Sequence, residues 1–140
     1  MIRLEEVTKR YDAWTKPAPT TALTRANLHV RNGEFMCILG PSGCGKSTML
    51  NLVAGFVAPT EGRVLFSDRP VTEPGPDRGV VFQDATIFPW LTVRQNVELG
   101  LKAARTPAAR RRELTDEWLH MVGLFGVGGV MPSALRGGMR

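Results

Sequence analysis

One short stretch, ILGPSGCGKST, constrains the fold of this chain more than any other. Its glycines stand at Gly40, Gly43 and Gly45, and glycine lets a backbone turn tightly enough for successive N–H groups to converge on one anion. The apolar run FMCIL before the loop predicts a strand buried on both faces of a parallel sheet. The residues after it, KSTMLNLVAGF, have apolar positions at helical spacing and end near a glycine. The stretch therefore predicts a strand, a phosphate-binding loop and a helix in succession.

Side chains at the start of the predicted helix supply the other groups that a nucleotide phosphate requires. Lys46 can neutralise the outer phosphates, the Ser47 hydroxyl can ligate Mg²⁺, and Thr48 offers a second hydroxyl. The positive end of the helix adds to the attraction. The spacing matches the pattern G-x-x-x-x-G-K-[ST] of a phosphate loop. The predicted phosphate-binding residues are Gly40, Pro41, Ser42, Gly43, Cys44, Gly45, Lys46, Ser47 and Thr48.

The pattern of apolar residues predicts that the first part of the chain is rich in β-strands and that the second part is helical. The runs IRLEEVTKRY, NLHVRNGEF, GRVLFSDRPV and VVF predict strands, and TKPAPTTAL predicts a Pro-rich connection. From Leu91 onward the spacing is helical, and Thr106 with Pro107 predicts the N-cap and first turn of a helix. The apolar face of that helix is predicted from the spacing of Leu114, Trp118 and Val122. The order of elements predicts an α/β fold.

Composition is compatible with several anionic partners. Lys and Arg outnumber Asp and Glu by 18 to 13, and this excess suits a phosphate-bearing ligand, a nucleic acid or an anionic membrane surface. We expect neither a membrane span nor an export signal, because the chain lacks a long apolar run and its start carries two glutamates. Cys37, in the predicted strand, and Cys44 are expected to be free thiols. His29 and His120 lack metal-ligand spacing and are expected at the surface.

Four stretches of the chain resemble the nucleotide-binding subunit of ATP-binding cassette (ABC) transporters. The first is the phosphate loop with its helix, GPSGCGKSTMLNLVAG, and the second is GVVFQDATIFPWLTVRQNVELGL, which resembles the glutamine loop with Gln83. Tyr11 stands where the family keeps an aromatic residue that stacks on adenine, although Trp14 is an alternative. The last stretch, ALRGGMR, resembles the start of the signature motif, formed here by Leu135, Arg136, Gly137, Gly138 and Met139. The wording IFPWLTVRQNV further resembles importers of the nitrate, sulfonate and taurine group.

The resemblance implies a P-loop NTPase of ABC type, with an ATP-binding core at residues 1–90 and a helical subdomain at 91–140. ATP and Mg²⁺ are the implied cofactors, and Ser47 and Gln83 are the residues implied to bind the metal. It also implies a head-to-tail pair of subunits, in which the signature motif contacts the partner's ATP, and transmembrane permease subunits. The subunit would lie on the cytoplasmic face of the membrane and couple ATP hydrolysis to solute import. No nucleic acid partner is expected.

The chain departs from the family pattern in two respects. Arg136 stands where the signature motif usually has serine, and a guanidinium can either pair with phosphate or hold the partner's loop away. In addition, the family's Walker B aspartate, catalytic glutamate and switch histidine follow the signature motif, and none stands within these 140 residues. We therefore assign no catalytic residue and expect an ABC domain that is incomplete at its C-terminus.

Several alternatives remain open from the sequence alone. Asp84 after an apolar run would make the chain a small kinase if it were a Walker B aspartate, but Gln83 interrupts the run. A nucleotide-binding or regulatory protein without hydrolysis is a second possibility, and an ABC-type protein that acts on nucleic acid is a third. Phe88, Trp90 and Leu91 either contact the permease, as the resemblance implies, or pack internally.

Overall fold

The computed structural model describes residues 1–12, 20–83 and 87–135. Internal contacts divide the chain into two compact units, Met1–Val81 and Phe82–Arg140. The boundary at residue 90 between core and helical subdomain stays a prediction. Each unit is built around its own small apolar core.

The first unit is an antiparallel sheet with one helix against it. Strand β1 (Ile2–Tyr11) pairs with β2 (Thr20–Val30) on one edge and with β3 (Glu61–Phe66) on the other, and β3 pairs with the short β4 (Arg69–Pro70). The strand predicted from IRLEEVTKRY is confirmed, whereas β2 begins at Thr20 and takes in part of the predicted Pro-rich connection. Ser67 and Asp68 both have positive φ between β3 and β4, as a two-residue hairpin turn of type I′ requires.

Helix α1 (Lys46–Ala54) packs on this sheet and begins in the glycine-rich loop. Leu52 of the helix is fully buried, and the remaining buried residues of the cluster come from the sheet and the segment after it: Leu4, Val7, Val64 and Val71. The helix ends as predicted at Gly55, whose φ of 82° is left-handed. The N–H of Gly55 donates to Leu52 and that of Phe56 to Asn51, so the last carbonyls of the helix are satisfied.

Two predicted buried strands are not formed in the described part of the chain. Phe35 and Leu39 of FMCIL are each 90% exposed, and Val81 of VVF is 95% exposed. Cys37 is exposed as well, contrary to the prediction that placed it inside a strand. The physical reason is that a strand inside a parallel sheet requires hydrogen-bonded neighbours on both edges. No strand within residues 1–12, 20–83 and 87–135 pairs with either segment.

The second unit consists of α2 (Val93–Ala103), α3 (Ala108–Met121) and a 3₁₀ turn, Pro132–Ala134. Its buried cluster is Val93, Leu119 and Leu135. Helix α2 begins with a capping box, in which Thr92 Oγ1 accepts from the Gln95 N–H at 3.2 Å and Gln95 Oε1 accepts from the Thr92 N–H at 2.9 Å. No helix among the described residues is long and apolar enough to cross a membrane.

The prediction for α3 was wrong in its N-cap and its buried face. Pro107, rather than Thr106, is the N-cap, and no side chain caps the helix. The buried positions are Thr115 and Leu119, whereas Trp118 and Val122 are exposed. Apolar spacing predicted the face of Leu114, Trp118 and Val122, but the side of α3 that packs is set by its contact with α2. On that side Arg111 Nε lies 3.7 Å from the buried Glu98 carboxylate.

Candidate functional site

The glycine-rich loop folds tightly against β2 immediately before α1. Gly43 and Gly45 have φ of 82° and 97°, a left-handed conformation that favours glycine. A Cβ on Gly45 would lie 2.7 Å from the Ala22 carbonyl oxygen and 2.8 Å from Leu23 Cδ2. Residue 45 must therefore be glycine both for its conformation and for the close approach of the loop to the strand.

The loop surrounds the ammonium group of Lys46. Lys46 Nζ donates to the carbonyl oxygens of Gly40 and Pro41, each at 2.7 Å, and lies 3.5 Å from Cys44 Sγ. Three of the predicted phosphate-binding residues thus contact the lysine, and their role toward phosphate stays a prediction. The positive charge is kept at the loop, where an incoming phosphate would meet it.

A polar pocket of about 430 Å³ opens at the start of α1. Gly45 is the N-cap of the helix, the helix has no side-chain cap, and no acidic residue lies in its first turn. The N–H groups of a first turn have no partner within the helix, and they carry the positive end of its dipole. The pocket is lined by Ala22, Ser42, Gly43, Gly45, Lys46, Ser47 and Thr48. Its size, N–H groups and lysine suit a phosphate group.

Ala22 is the one residue of this pocket that the sequence analysis missed. It lies in β2, more than 20 positions before Lys46, and it enters the pocket because the loop packs on that strand. A small residue in a strand carries no signal of its own. Only the pairing of distant segments reveals such a contribution.

Tyr11 ends β1 beside the same pocket. It pairs with Thr20 of β2, and Ala22, two residues further along β2, lines the pocket. Strand spacing and rise put the Cα atoms of Tyr11 and Ala22 about 8 Å apart. The side chain of Tyr11 is 37% exposed. Tyr11 thus ends the strand that neighbours the one contributing Ala22 to the phosphate pocket.

The other residues assigned from the resemblance belong to the second unit or lie outside the described residues. Gln83 is exposed at a bend. Leu135 is buried against Val93 and Leu119. The residues outside the described ranges are Trp14, Asp84, Arg136, Gly137, Gly138 and Met139. His29 and His120 are exposed, as predicted, and both cysteines are free.

An aromatic pair stands exposed at the start of α2. Phe88 and Trp90 contact each other edge to face, with ring centroids 5.4 Å apart, and Leu91 is half-buried. Asn96 holds the segment: its Oδ1 accepts from the Phe88 N–H at 2.8 Å. Its Nδ2 donates to the carbonyls of Phe88, Leu91 and Thr92 at 3.0–3.1 Å. The sequence analysis missed Asn96, although an asparagine one turn inside a helix is a known sign of bonds back to the backbone.

A protein-family model described as ABC transporter matches residues 23–140. A putative ATP-binding protein of Brucella abortus is 53% identical over 119 residues, which are 85% of this chain and 46% of that protein. The nitrate import ATP-binding protein of Synechococcus elongatus is 46% identical over 128 residues, 90% of this chain and 47% of that protein. The taurine import ATP-binding protein of Pelagibacter ubique is 42% identical over 119 residues. The chain spans about half the length of these relatives.

The fold is similar to that of solved ATP-binding cassettes. One is a dimeric cassette in a post-hydrolysis state with ADP and Pi bound. It superimposes with a TM-score of 0.83 at 35% identity, and the match covers 99% of this chain and 64% of that one. The family match and this superposition agree on one kind of domain.

Proposed function

Because the chain belongs to the ABC transporter family, we propose that its polar pocket binds the triphosphate of ATP. This membership confirms the family and the P-loop fold class predicted from the sequence. The observation that carries the proposal is the uncapped, acid-free first turn of α1 with the Lys46 ammonium held beside it. In this arrangement the first-turn N–H groups and the ammonium bind the phosphate oxygens.

Mg²⁺ would enter with the nucleotide. No group of three His, Cys, Asp or Glu side chains suited to a metal occurs among the described residues. Such a set is not required, because Mg²⁺ on a nucleotide takes one or two protein oxygens and completes its shell with phosphates and water. The exposed Ser47 hydroxyl fits this role, and we propose Gln83 as a second ligand. When bound, the ion neutralises phosphate charge.

We further propose that Tyr11 stacks on the adenine base. Tyr11 is exposed on the strand next to Ala22, and the estimated separation of about 8 Å between their Cα atoms is one that a nucleotide can bridge between its base and its phosphates. Stacking on an aromatic face needs no particular hydrogen bonds, so it adds affinity without further polar groups.

For the whole protein, we propose that ATP binding and hydrolysis drive solute import at the cytoplasmic face of a membrane. The support comes from relatives that are nitrate and taurine import ATP-binding proteins. A second copy would complete the site through the segment from Leu135 to Met139, and permease subunits would contact the exposed pair Phe88 and Trp90. The solved cassette of the same fold is itself dimeric.

The nucleotide proposal is tested by comparing Lys46→Ala with Lys102→Ala. Lys102 is a surface lysine of α2 that ion-pairs with Glu98, and it serves as the matched control. With the fluorescent nucleotide TNP-ATP displaced by ATP, Lys46→Ala should weaken ATP binding at least tenfold, since it removes the charge beside the phosphates. Lys102→Ala should leave it unchanged. Equal affinity of both variants for ATP would refute the assignment of the pocket.

Alkylation of Cys44 gives a second readout of the same site. Its thiol is exposed and lies 3.5 Å from Lys46 Nζ, at the loop that ATP would cover. ATP should slow the reaction of Cys44 with iodoacetamide and leave that of the exposed Cys37 unchanged. Equal protection of both thiols, or of neither, would argue against nucleotide at this loop.

The permease proposal is tested in the intact transporter with Trp90→Glu. Trp90 is 68% exposed and Met121 is 73% exposed, so Met121→Glu is a control of similar accessibility in the same unit. Trp90→Glu should abolish co-purification with the membrane subunits, because a buried unpaired carboxylate is unfavourable at an apolar contact. Retention of the complex by both variants would assign the aromatic pair to another role.

A further inference from the structure

The ammonium group of a lysine lies over one face of the Tyr11 ring, the ring that we propose stacks on adenine. Lys9 and Tyr11 are two residues apart in β1, so their side chains leave the same face of the strand. Lys9 Nζ lies 5.1 Å from the centroid of the Tyr11 ring, within the range of a cation–π interaction. The sequence analysis did not single out this lysine.

The ammonium of Lys9 is also anchored from its other side. Lys9 Nζ donates to the carbonyl oxygen of Ala58 at 2.8 Å. A lysine side chain has four rotatable bonds, and on a protein surface it usually adopts several conformations. Here the carbonyl and the ring together hold the ammonium in one place, which makes it a fixed support rather than a mobile charge.

The segment that carries Ala58 is itself fastened to the end of β1. The Thr60 N–H donates to the Thr8 carbonyl at 2.8 Å, and the Arg10 N–H donates to Thr60 Oγ1 at 3.0 Å. Arg10 also pairs with Glu61 at 2.8 Å. These contacts fix the carbonyl that receives Lys9.

We propose that Lys9 is a positioning residue for the nucleotide base. Its ammonium occupies one face of the Tyr11 ring and limits the ring's rotation, so the opposite face is presented to adenine. The inference rests on the proposed stacking role of Tyr11 and extends it to a residue that does not touch the base. Positioning acts on the base alone, whereas a simple attraction of Lys9 for phosphates would act equally on a ligand without a base.

The experiment compares the affinities of the chain for ATP and for inorganic tripolyphosphate, which has no base. The variants are Tyr11→Ala, Lys9→Met, Lys9→Arg and the double variant Lys9→Met/Tyr11→Ala, with Lys102→Met as a control for lost charge. Methionine keeps the length of the side chain without the ammonium, and arginine keeps both the cation and the donor to Ala58. Tripolyphosphate binding also reports that the phosphate pocket of each variant is folded.

We expect Tyr11→Ala to weaken ATP binding about tenfold and Lys9→Met about threefold. Both should bind tripolyphosphate as the Lys102→Met control does. Lys9→Arg should restore ATP affinity, and Lys9→Met should have no further effect once Tyr11 is replaced. Tyr11 is the single tyrosine of the chain, so ring-labelled tyrosine gives one set of NMR signals. Those signals should shift and broaden in Lys9→Met and not in Lys102→Met.

The outcomes separate the inference from the function on which it rests. Unchanged ATP affinity in Tyr11→Ala would refute the stacking role and the positioning role together, while Lys46→Ala would still test phosphate binding. If Tyr11→Ala weakened ATP binding and Lys9→Met left it unchanged, the role of Lys9 alone would be overturned. Equal losses of ATP and tripolyphosphate affinity in Lys9→Met, or a further loss in the double variant, would also overturn it.

Discussion

Gly45 joins two requirements of the site in one residue. Its left-handed φ turns the chain from the loop into α1, and its missing side chain lets the loop touch β2. A methyl group at this position would meet the Ala22 carbonyl, which is backbone and cannot rotate away. The same contact brings Ala22 into the pocket, so the turn and the shape of the site have one cause.

Gly45→Ala should therefore damage both stability and binding. We expect a loss of about 2 kcal/mol in the free energy of unfolding, from the left-handed conformation and the clash together. ATP affinity should fall at least tenfold, because the loop moves away from β2. Urea unfolding and nucleotide titration measure the two effects.

Gly79→Ala is the matched control for that substitution. Gly79 lies in the same unit, its φ is not in the left-handed region, and a Cβ there meets no atom within 4 Å. It should change neither quantity appreciably. A loss in Gly79→Ala as large as that in Gly45→Ala would contradict the explanation from loop geometry.

The start of α2 depends on one amide side chain as well as on its capping box. Asn96 makes four hydrogen bonds to the segment that carries Phe88 and Leu91. Asn96→Ala removes the partner of the Phe88 N–H and of the Leu91 carbonyl, whereas the Phe88 and Thr92 carbonyls still accept from the backbone N–H groups of Leu91 and residue 96. We expect a loss of about 2 kcal/mol in the free energy of unfolding of the second unit, and faster hydrogen exchange at the Phe88 N–H.

Gln95→Ala provides a graded comparison at the neighbouring position. It removes one bond of the capping box, the one from the Thr92 N–H, and should lose about 1 kcal/mol. Its Phe88 N–H should exchange at the original rate. If hydrogen exchange at the Phe88 N–H were equally fast in both variants, the segment would be held by the helix cap and not by Asn96.

The hairpin of β1 and β2 contains an irregularity that is stabilised by charge. Glu6 and Arg25 both have positive φ, and Arg25 Nε donates to Glu6 Oε2 at 2.6 Å. The Asn27 side chain donates to the other oxygen of the same carboxylate. The pKa of Glu6 therefore lies below its ordinary value of 4.5, first because of the bond from Asn27 and then because of Arg25.

This shift predicts a particular dependence of stability on pH. Since the pKa is lowered in the folded state, the contribution of Glu6 is complete above pH 4.5 and is lost as the pH falls through the folded pKa. Glu6→Gln should flatten the decline of unfolding free energy below pH 4.5. Glu117→Gln, at an exposed position of α3, should retain the decline. The same slope in both variants would place the acid sensitivity elsewhere.

The first unit exposes an apolar surface around the segment before the phosphate loop. A cavity of about 360 Å³ lies there, lined mainly by apolar side chains from β1, β2, α1 and residues 34–38. Phe35, which lines this cavity, is 90% exposed, so the apolar side chains here are adjacent to one another rather than scattered singly over the surface. Such a surface favours association with another apolar surface.

The chain of 140 residues should accordingly self-associate. Its weight-average mass in sedimentation equilibrium should rise with concentration, and it should bind a hydrophobic dye such as ANS. Phe35→Lys should reduce both effects, because it places a charge on the apolar surface. Met121→Lys, an equally drastic change at an exposed position of the second unit, should not. A single monomer mass over a wide concentration range would contradict the prediction.

The amino-acid sequence by itself determined the features that are encoded locally. The glycine spacing, the lysine after it and Gly55 specify the loop and both ends of α1, because each depends on the φ preference of one residue or on groups within one turn. The same local run carries the family resemblance that the comparisons confirmed. Strand β1 was likewise predicted from the alternation of apolar residues within its own segment.

Only the tertiary structure decided the features that depend on contacts between distant segments. The two apolar runs predicted as strands remain unpaired among the described residues, and α3 buries Thr115 and Leu119 rather than its predicted face. Ala22 enters the phosphate pocket and Lys9 reaches Ala58 because strands and loops far apart in sequence are packed together. An apolar run in the sequence indicates that one face of the segment will be buried. Its partner, its register and the face chosen follow from the free energy of the assembled packing.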